Sequence, residues 1–163
     1  MRYYLLRESS PFEDSPFTME KFKEAYNAHL ANGLGNLVSR VMKMAADGNV
    51  HPSFPSKEEI MDHPQIGIKD VFEEYSRSRN ANKALADAWS IVDNLNHLID
   101  TTKPFNLLKN DISKAKEIIG LALVQLWYFT ILIEPFMPKT SLLISDVVKK
   151  GTSVEKPIFP RIS

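Results

Sequence analysis

The sequence predicts an all-α protein in which one helix bundle of 163 residues encloses a single core. Apolar residues recur at helical spacing in several long stretches, whereas few stretches alternate with the period of a strand. Clusters that contain proline or glycine separate these stretches into four or five main helices with connections of moderate length. Because 44% of the residues are hydrophobic, the chain can bury a sizeable core, as a helix bundle requires.

The N-terminal part predicts a short helix, a connector and then a long helix. A short helical piece, RYYLLRE, opens the chain, and the turn-rich stretch SSPFEDSPF follows it. Thr18 is the predicted N-cap of the long helix, with Glu20 in the first turn. Helical periodicity then continues to about Ala46, where the DGN sequence ends it. Residues 47–66 contain three prolines and predict a loop.

Three further helical regions follow this loop. The first covers roughly Ile68 to Asp100, with a break predicted in SRSRNANK and a stop at the KPF sequence. The second runs from about Asp111 to Glu134. Its apolar part has 16 residues, fewer than the ~20 that a spanning helix needs, so a buried central helix is expected. The last helix covers about Lys139 to Lys149, and the tail EKPIFPRIS is expected to be extended.

The residue types exclude several kinds of chemistry. The chain has no cysteine, which excludes disulfides and thiolate metal sites, and its four histidines do not pair at metal-ligand spacing. It contains no phosphate-binding loop and no nucleophile elbow. We therefore expect no catalytic residue, no metal and no cofactor in this chain, and a binding domain is the natural alternative. The 20 basic and 20 acidic residues cancel, so RNA binding would depend on a local patch.

The stretch LGNLVSR, Leu34 to Arg40, lies inside the first long helix although two glycines, Gly33 and Gly35, weaken a helix interior. A projection at about 100° per residue predicts two faces. The core stripe contains Leu30, Leu34, Leu37, Val38, Val41 and Met44. The opposite stripe contains His29, Gly33, Asn36, Arg40 and Lys43. On that stripe the glycine leaves a shallow notch edged by polar side chains.

Two interpretations of the polar stripe remain open from the residues themselves. It is either an ordinary solvated helix face, with the glycines packed on a neighbouring helix, or a surface that recognises RNA bases. Asn36 offers a donor and an acceptor that match the edge of an unpaired base. Arg40 offers a planar guanidinium that bonds bases or phosphates and can stack.

Several motifs in the same order resemble the C-terminal half of bacterial-type methionyl-tRNA synthetases. They are RYYLLRE, YNAHLANGLGNLVSR, NHLIDTTKPFNLLK, ILIEPFMPKTS and KPIFPRIS, which together span nearly the whole chain. The resemblance implies a helix bundle of the type that binds the anticodon in class I aminoacyl-tRNA synthetases. Related synthetases for isoleucine, valine, leucine and cysteine share the general helical domain.

The resemblance also implies roles for individual residues. Asn36 and Arg40 match the asparagine and arginine that contact anticodon bases, and His29 and Gly33 border them on the same predicted stripe. Phe105 stands where the family has a tryptophan that stacks on an anticodon base. Asp100 matches an acidic residue that helps to reject wrong anticodons, although an ordinary surface charge is an equally good interpretation. Trp89, on the apolar face of its helix, is expected to be a core residue.

The resemblance further implies a larger enzyme. Residues 1–14 would be the end of a connector from a catalytic domain that this sequence lacks, and residues 15–163 would be the helical anticodon-binding domain. Tyr3 to Leu6 would form an exposed apolar start that packs on that missing domain. The whole enzyme would attach methionine to tRNA(Met) with ATP in the cytoplasm, whereas this chain by itself should be inactive. No signal peptide and no membrane partner are expected.

Two other functions remain open at this point. The chain could be the anticodon-binding domain of a sister class I synthetase. It could also be a helical protein-interaction module that kept the fold and lost RNA binding, which the zero net charge permits.

Overall fold

The computed structural model describes residues 1–8, 17–61, 72–73, 75–77 and 80–163, and this part of the chain is helical without any strand, which confirms the all-α prediction. The helices are α1 (Arg2–Glu8), α2 (Met19–Ala25), a π-helix (Tyr26–Gly35), α3 (Asn36–Gly48), α4 (Lys57–Met61), α5 (Ala81–Thr102), α6 (Pro104–Asn110), α7 (Ile112–Ile133) and α8 (Pro138–Lys150). Most of the predicted connector and the predicted helix start at Ile68 lie outside the described residues.

Helix α7 is the centre of the bundle. It contacts α3, α5, α6 and α8, and Leu123, Leu126 and Phe129 are buried along it. Its length and composition would allow it to cross a membrane, but half of its most apolar window is buried inside the protein. The prediction of a buried central helix is therefore confirmed.

The first long helix is not uniformly α-helical. Thr18 caps α2 as predicted, since its Oγ1 accepts a hydrogen bond from the backbone N–H of Lys21 at 3.2 Å. The chain then winds as a π-helix over Tyr26–Gly35 before it returns to α-helix at Asn36. At this boundary the N–H of Asn36 donates to the carbonyl of Ala31, five residues back. The helix ends at Gly48, followed by Asn49 with a φ of 49°.

The structure confirms the core stripe and corrects the polar stripe at one residue. All six members of the core stripe are buried, on both sides of the boundary between the π-helix and α3. In the polar stripe, Asn36 and Lys43 are exposed and Arg40 is half-buried. The exception is His29, whose ring centroid lies 6.1 Å from that of Tyr3 in α1.

Helix α1 packs into the bundle. The ring centroids of Tyr3 and Trp89 lie 4.5 Å apart, and only 3% of Tyr3 and 5% of Trp89 are exposed. Trp89 is a core residue, as predicted. The expectation of an exposed start was wrong for Tyr3 and Tyr4, which are buried against this chain's own helices, whereas Leu5 is exposed.

Helix α5 begins and ends at signals in the sequence, and a second, short helix follows it directly. The predicted break before α5 occurs at Asn80, whose Oδ1 accepts from the N–H of Lys83 at 3.0 Å. At the far end, Lys103 adopts a φ of 48° and terminates α5. Pro104 then occupies the first position of α6, where its missing N–H has no cost. Phe105 therefore lies in the first turn of a short helix.

Candidate nucleic-acid interface

Helices α3 and α5 bring Arg40 and Asp100 together. Nη2 of Arg40 donates to Oδ1 of Asp100 at 2.6 Å, and their side chains are 32% and 63% exposed. Two residues 60 positions apart in the sequence thus form one ion pair on the surface. The pair neutralises Arg40 and holds its guanidinium in a fixed place, with further N–H groups left over for another acceptor.

Asn36 is exposed at the first position of α3. The next two residues, Leu37 and Val38, are completely buried. These two buried side chains anchor the start of α3 in the core, and Asn36 is exposed next to them. Arg40 follows one turn later on the same helix, so the amide and the guanidinium are neighbours on one face.

Phe105 presents an aromatic ring to solvent, with 47% of the residue exposed. Pro104, immediately before it, is buried and fixes the start of α6, and α6 contacts α3. An exposed ring on a short helix that packs on α3 has the chemistry of a stacking platform for a base. Asn36, Arg40, Asp100 and Phe105 thus lie on α3 and on the helices packed against it.

His29 faces α1 instead of the face that carries Asn36. Its ring centroid lies 6.1 Å from that of Tyr3, and Arg7 donates a hydrogen bond to the Tyr3 hydroxyl. Burial, reinforced by the Arg7 charge, lowers the pKa of His29 below its usual range. Its Nδ1 is buried and has no hydrogen-bond partner among the described residues. A role for His29 in RNA contact stays a prediction.

The two glycines near Asn36, Gly33 and Gly35, have different surroundings. A Cβ at Gly33 would meet only the Ala28 carbonyl, at 3.3 Å, among atoms outside its own helical turn. Gly35 is buried, and a Cβ there would lie 3.0 Å from the Leu30 carbonyl oxygen and 3.5 Å, an ordinary contact distance, from Cδ2 of Phe159. The neighbour of Gly35 is therefore the C-terminal tail rather than another helix. Whether Gly33 borders bound RNA stays a prediction.

The C-terminal tail, residues 157–162, docks on the π-helix. Asn27 and Ile162 exchange two hydrogen bonds, Nδ2 to the carbonyl at 2.8 Å and backbone N–H to Oδ1 at 3.0 Å. Nε and Nη2 of Arg161 both donate to Oδ1 of Asn32, at 3.0 Å and 2.7 Å. The tail is thus held by side chains of the π-helix. It forms no helix or strand, but bends at residues 155–156 and 158–159 correct the prediction that it is extended throughout.

A groove of about 550 Å³ lies between the tail and the helix, and we call it the tail groove. Its helix wall includes Asn32, Gly35, Asn36 and Ser39, and its tail wall includes Pro157, Phe159, Pro160 and Arg161. Sequence reasoning did not identify Asn32 and Arg161 as residues of this groove, because their contact joins positions 129 apart in the chain.

Comparison with known proteins places two family models on the chain. Residues 1–42 match the model described as tRNA synthetases class I (M). Residues 57–157 match the model of the anticodon binding domain of methionyl tRNA ligase. The first match crosses the predicted domain boundary at residue 14 and covers α1, α2 and the π-helix.

Curated relatives align over almost the whole chain. The methionine–tRNA ligase of Fusobacterium nucleatum is 30% identical over 99% of this chain and 30% of the relative. The methionine–tRNA ligases of Clostridium acetobutylicum and Caldanaerobacter subterraneus are 32% and 33% identical to this chain. Each alignment covers 99% of this chain, and it covers 29% of the first relative and 30% of the second. The chain thus spans about 30% of the length of the relatives it matches.

Proposed function

Because the chain belongs to the family of methionyl-tRNA ligase anticodon-binding domains, we propose that it recognises the anticodon of tRNA(Met). The observation that carries the proposal is the Arg40–Asp100 pair. It unites two of the residues expected to read the anticodon, and one of them, Arg40, lies on the helix that also presents Asn36. A surface of this kind suits RNA, because sequence-specific RNA recognition mostly targets unpaired bases that can be splayed out and stacked.

Each side chain has a distinct part in the proposed recognition. The amide of Asn36 bonds the edge of one unpaired base through its donor and its acceptor. The Arg40 guanidinium, oriented by Asp100, bonds a second acceptor on the base or its backbone. Phe105 stacks on a base in place of a tryptophan, with a smaller ring face and no N–H donor. Asp100 disfavours an RNA that draws Arg40 out of the ion pair, because the carboxylate is then left without its counter-charge.

The rest of the proposed function belongs to a catalytic domain outside this sequence. That domain would attach methionine to the tRNA with ATP, in the cytoplasm. We propose that it packs near α1, where an apolar groove of about 390 Å³ is lined by residues that include Met1, Tyr26, Leu30 and Met137. The anticodon-binding chain by itself would bind RNA without turnover.

A titration with anticodon stem-loops tests the proposal. We expect the chain to bind a loop that contains CAU, and to lose affinity when one anticodon base is changed or when Asn36 is replaced by alanine. Preference for the anticodon of isoleucine, valine, leucine or cysteine would indicate a sister synthetase. Absence of loop binding by a chain whose circular dichroism shows it folded would support the protein-interaction module instead.

A further inference from the structure

Three asparagines lie along the helix beside the tail. Asn27 exchanges two hydrogen bonds with Ile162, and Asn32 accepts two from Arg161. Asn32 and Asn36 both line the tail groove, so its helix wall carries amide groups. This wall includes Asn36, where the proposed anticodon contact begins.

The tail supplies the opposite wall and is held along its length. Asn27 bonds Ile162 at one end. Phe159 packs over Gly35 and edge-to-face against Tyr26, with ring centroids 6.2 Å apart. These contacts hold both walls of the tail groove in place. The groove is open to solvent, and Asn36 is one of its lining residues.

Arg161 brings an uncompensated positive charge to this groove. Its two hydrogen bonds go to the neutral amide oxygen of Asn32, and no carboxylate lies within ion-pair distance in the described part of the chain. The residues that line the groove include no acidic side chain. Arg161 thus differs from Arg40, whose charge Asp100 already neutralises. Its guanidinium is oriented by Asn32 but remains available for an anion.

We propose that the tail groove binds the ribose-phosphate of an unpaired RNA nucleotide that adjoins the base contacted by Asn36. Arg161 bonds the phosphate, and the Nδ2 group of Asn32, whose Oδ1 is occupied by Arg161, faces the nucleotide as a donor. The volume of about 550 Å³ lies in the range of sites for small organic ligands and accommodates one nucleotide. The inference rests on the proposed function, because its occupant is the same RNA.

The salt dependence of loop binding tests this proposal with three matched variants. The affinity of the chain for a CAU stem-loop is measured at several salt concentrations for the wild type, Arg161→Gln, Arg161→Lys and Asn32→Ala. We expect Arg161→Gln, which removes the charge, to lower the magnitude of the slope of log K against log salt by about 0.7, the value for one phosphate contact to a single strand. It should weaken every loop sequence by the same factor, because a phosphate contact carries no sequence information.

The other two variants separate a phosphate contact from a purely structural role. Arg161→Lys keeps the charge and should keep the wild-type slope. Asn32→Ala removes the acceptor that orients Arg161 and the Nδ2 donor but no charge, so it should weaken binding and also keep the slope. An unchanged slope in Arg161→Gln would overturn the inference and show that Arg161 serves only to anchor the tail. In that case a CAU preference that depends on Asn36 would still stand. A wild-type chain without any CAU preference would instead overturn the proposed function and this inference with it.

Discussion

Arg40 and Asp100 form an ion pair, with Nη2 of the arginine 2.6 Å from Oδ1 of the aspartate, across the contact between α3 and α5. In the proposed recognition, Asp100 has two effects on bound RNA. It would hold Arg40 in the orientation in which the guanidinium bonds one acceptor. Its carboxylate would also repel RNA phosphates, so an RNA that disturbs the ion pair would have to replace the lost interaction.

Replacement of Asp100 by asparagine should relax recognition. We expect loops with a changed anticodon to bind more tightly, because the repelling charge is gone and Arg40 is free to bond any acceptor. Stability should change by no more than about 1 kcal/mol, since exposed ion pairs contribute little. Stem-loop titrations and denaturant unfolding measure the two effects. Unchanged discrimination would mean that Asp100 is an ordinary surface charge.

Arg40 and Leu37 should respond in opposite ways to truncation, because one lies off the core stripe and the other is completely buried. We expect Leu37→Ala to lower the free energy of unfolding by about 2–5 kcal/mol. Arg40→Ala should weaken loop binding with little loss of stability. Urea unfolding and loop titration are run on both variants. An Arg40→Ala chain that melts early yet binds normally would contradict the assignment of faces.

Phe105 should act through its aromatic face. Replacement by alanine should weaken loop binding by about 1–3 kcal/mol, the contribution of one stacked base. Replacement by tryptophan should preserve or strengthen binding, because the exposed position on α6 can accept a larger ring. Affinities of the two variants for one CAU loop, measured at the same salt concentration, give the comparison. A clear loss with tryptophan would place the ring in a packed contact instead.

His29 should make stability depend on pH. Burial and the charge of Arg7 lower its pKa in the folded chain, while Glu8 and Asp93 oppose that shift. Below pH 6.5, the ordinary value, the unfolded chain binds a proton that the folded chain does not. The free energy of unfolding should therefore decrease as the pH falls below 6.5.

The variant His29→Gln isolates this contribution. Denaturant unfolding between about pH 7.5 and 5 should show a smaller loss of stability in the variant than in the wild type, because glutamine does not titrate. Parallel curves for the two proteins would show that His29 is protonated equally well in the folded and unfolded chains.

The core stripe and the helix ends were predictable because they depend on local chemistry. The spacing of Leu30, Leu34 and Leu37 predicts one buried face, and all three residues are buried. Thr18 caps α2 through a neighbour three residues away. In both cases the partners lie within one or two turns of the same segment, so spacing along the chain contains the information.

The sequence by itself determined the helical class and the buried α7, and its resemblance predicted which side chains would read an anticodon. Only the tertiary structure decided the surroundings of these side chains. His29 packs toward Tyr3 of α1, and the π-helix is bound by a tail more than 130 residues away, through the Asn27–Ile162 pair 135 positions apart. Hydrogen bonds of that span depend on how the helices pack, and a local periodicity cannot contain them.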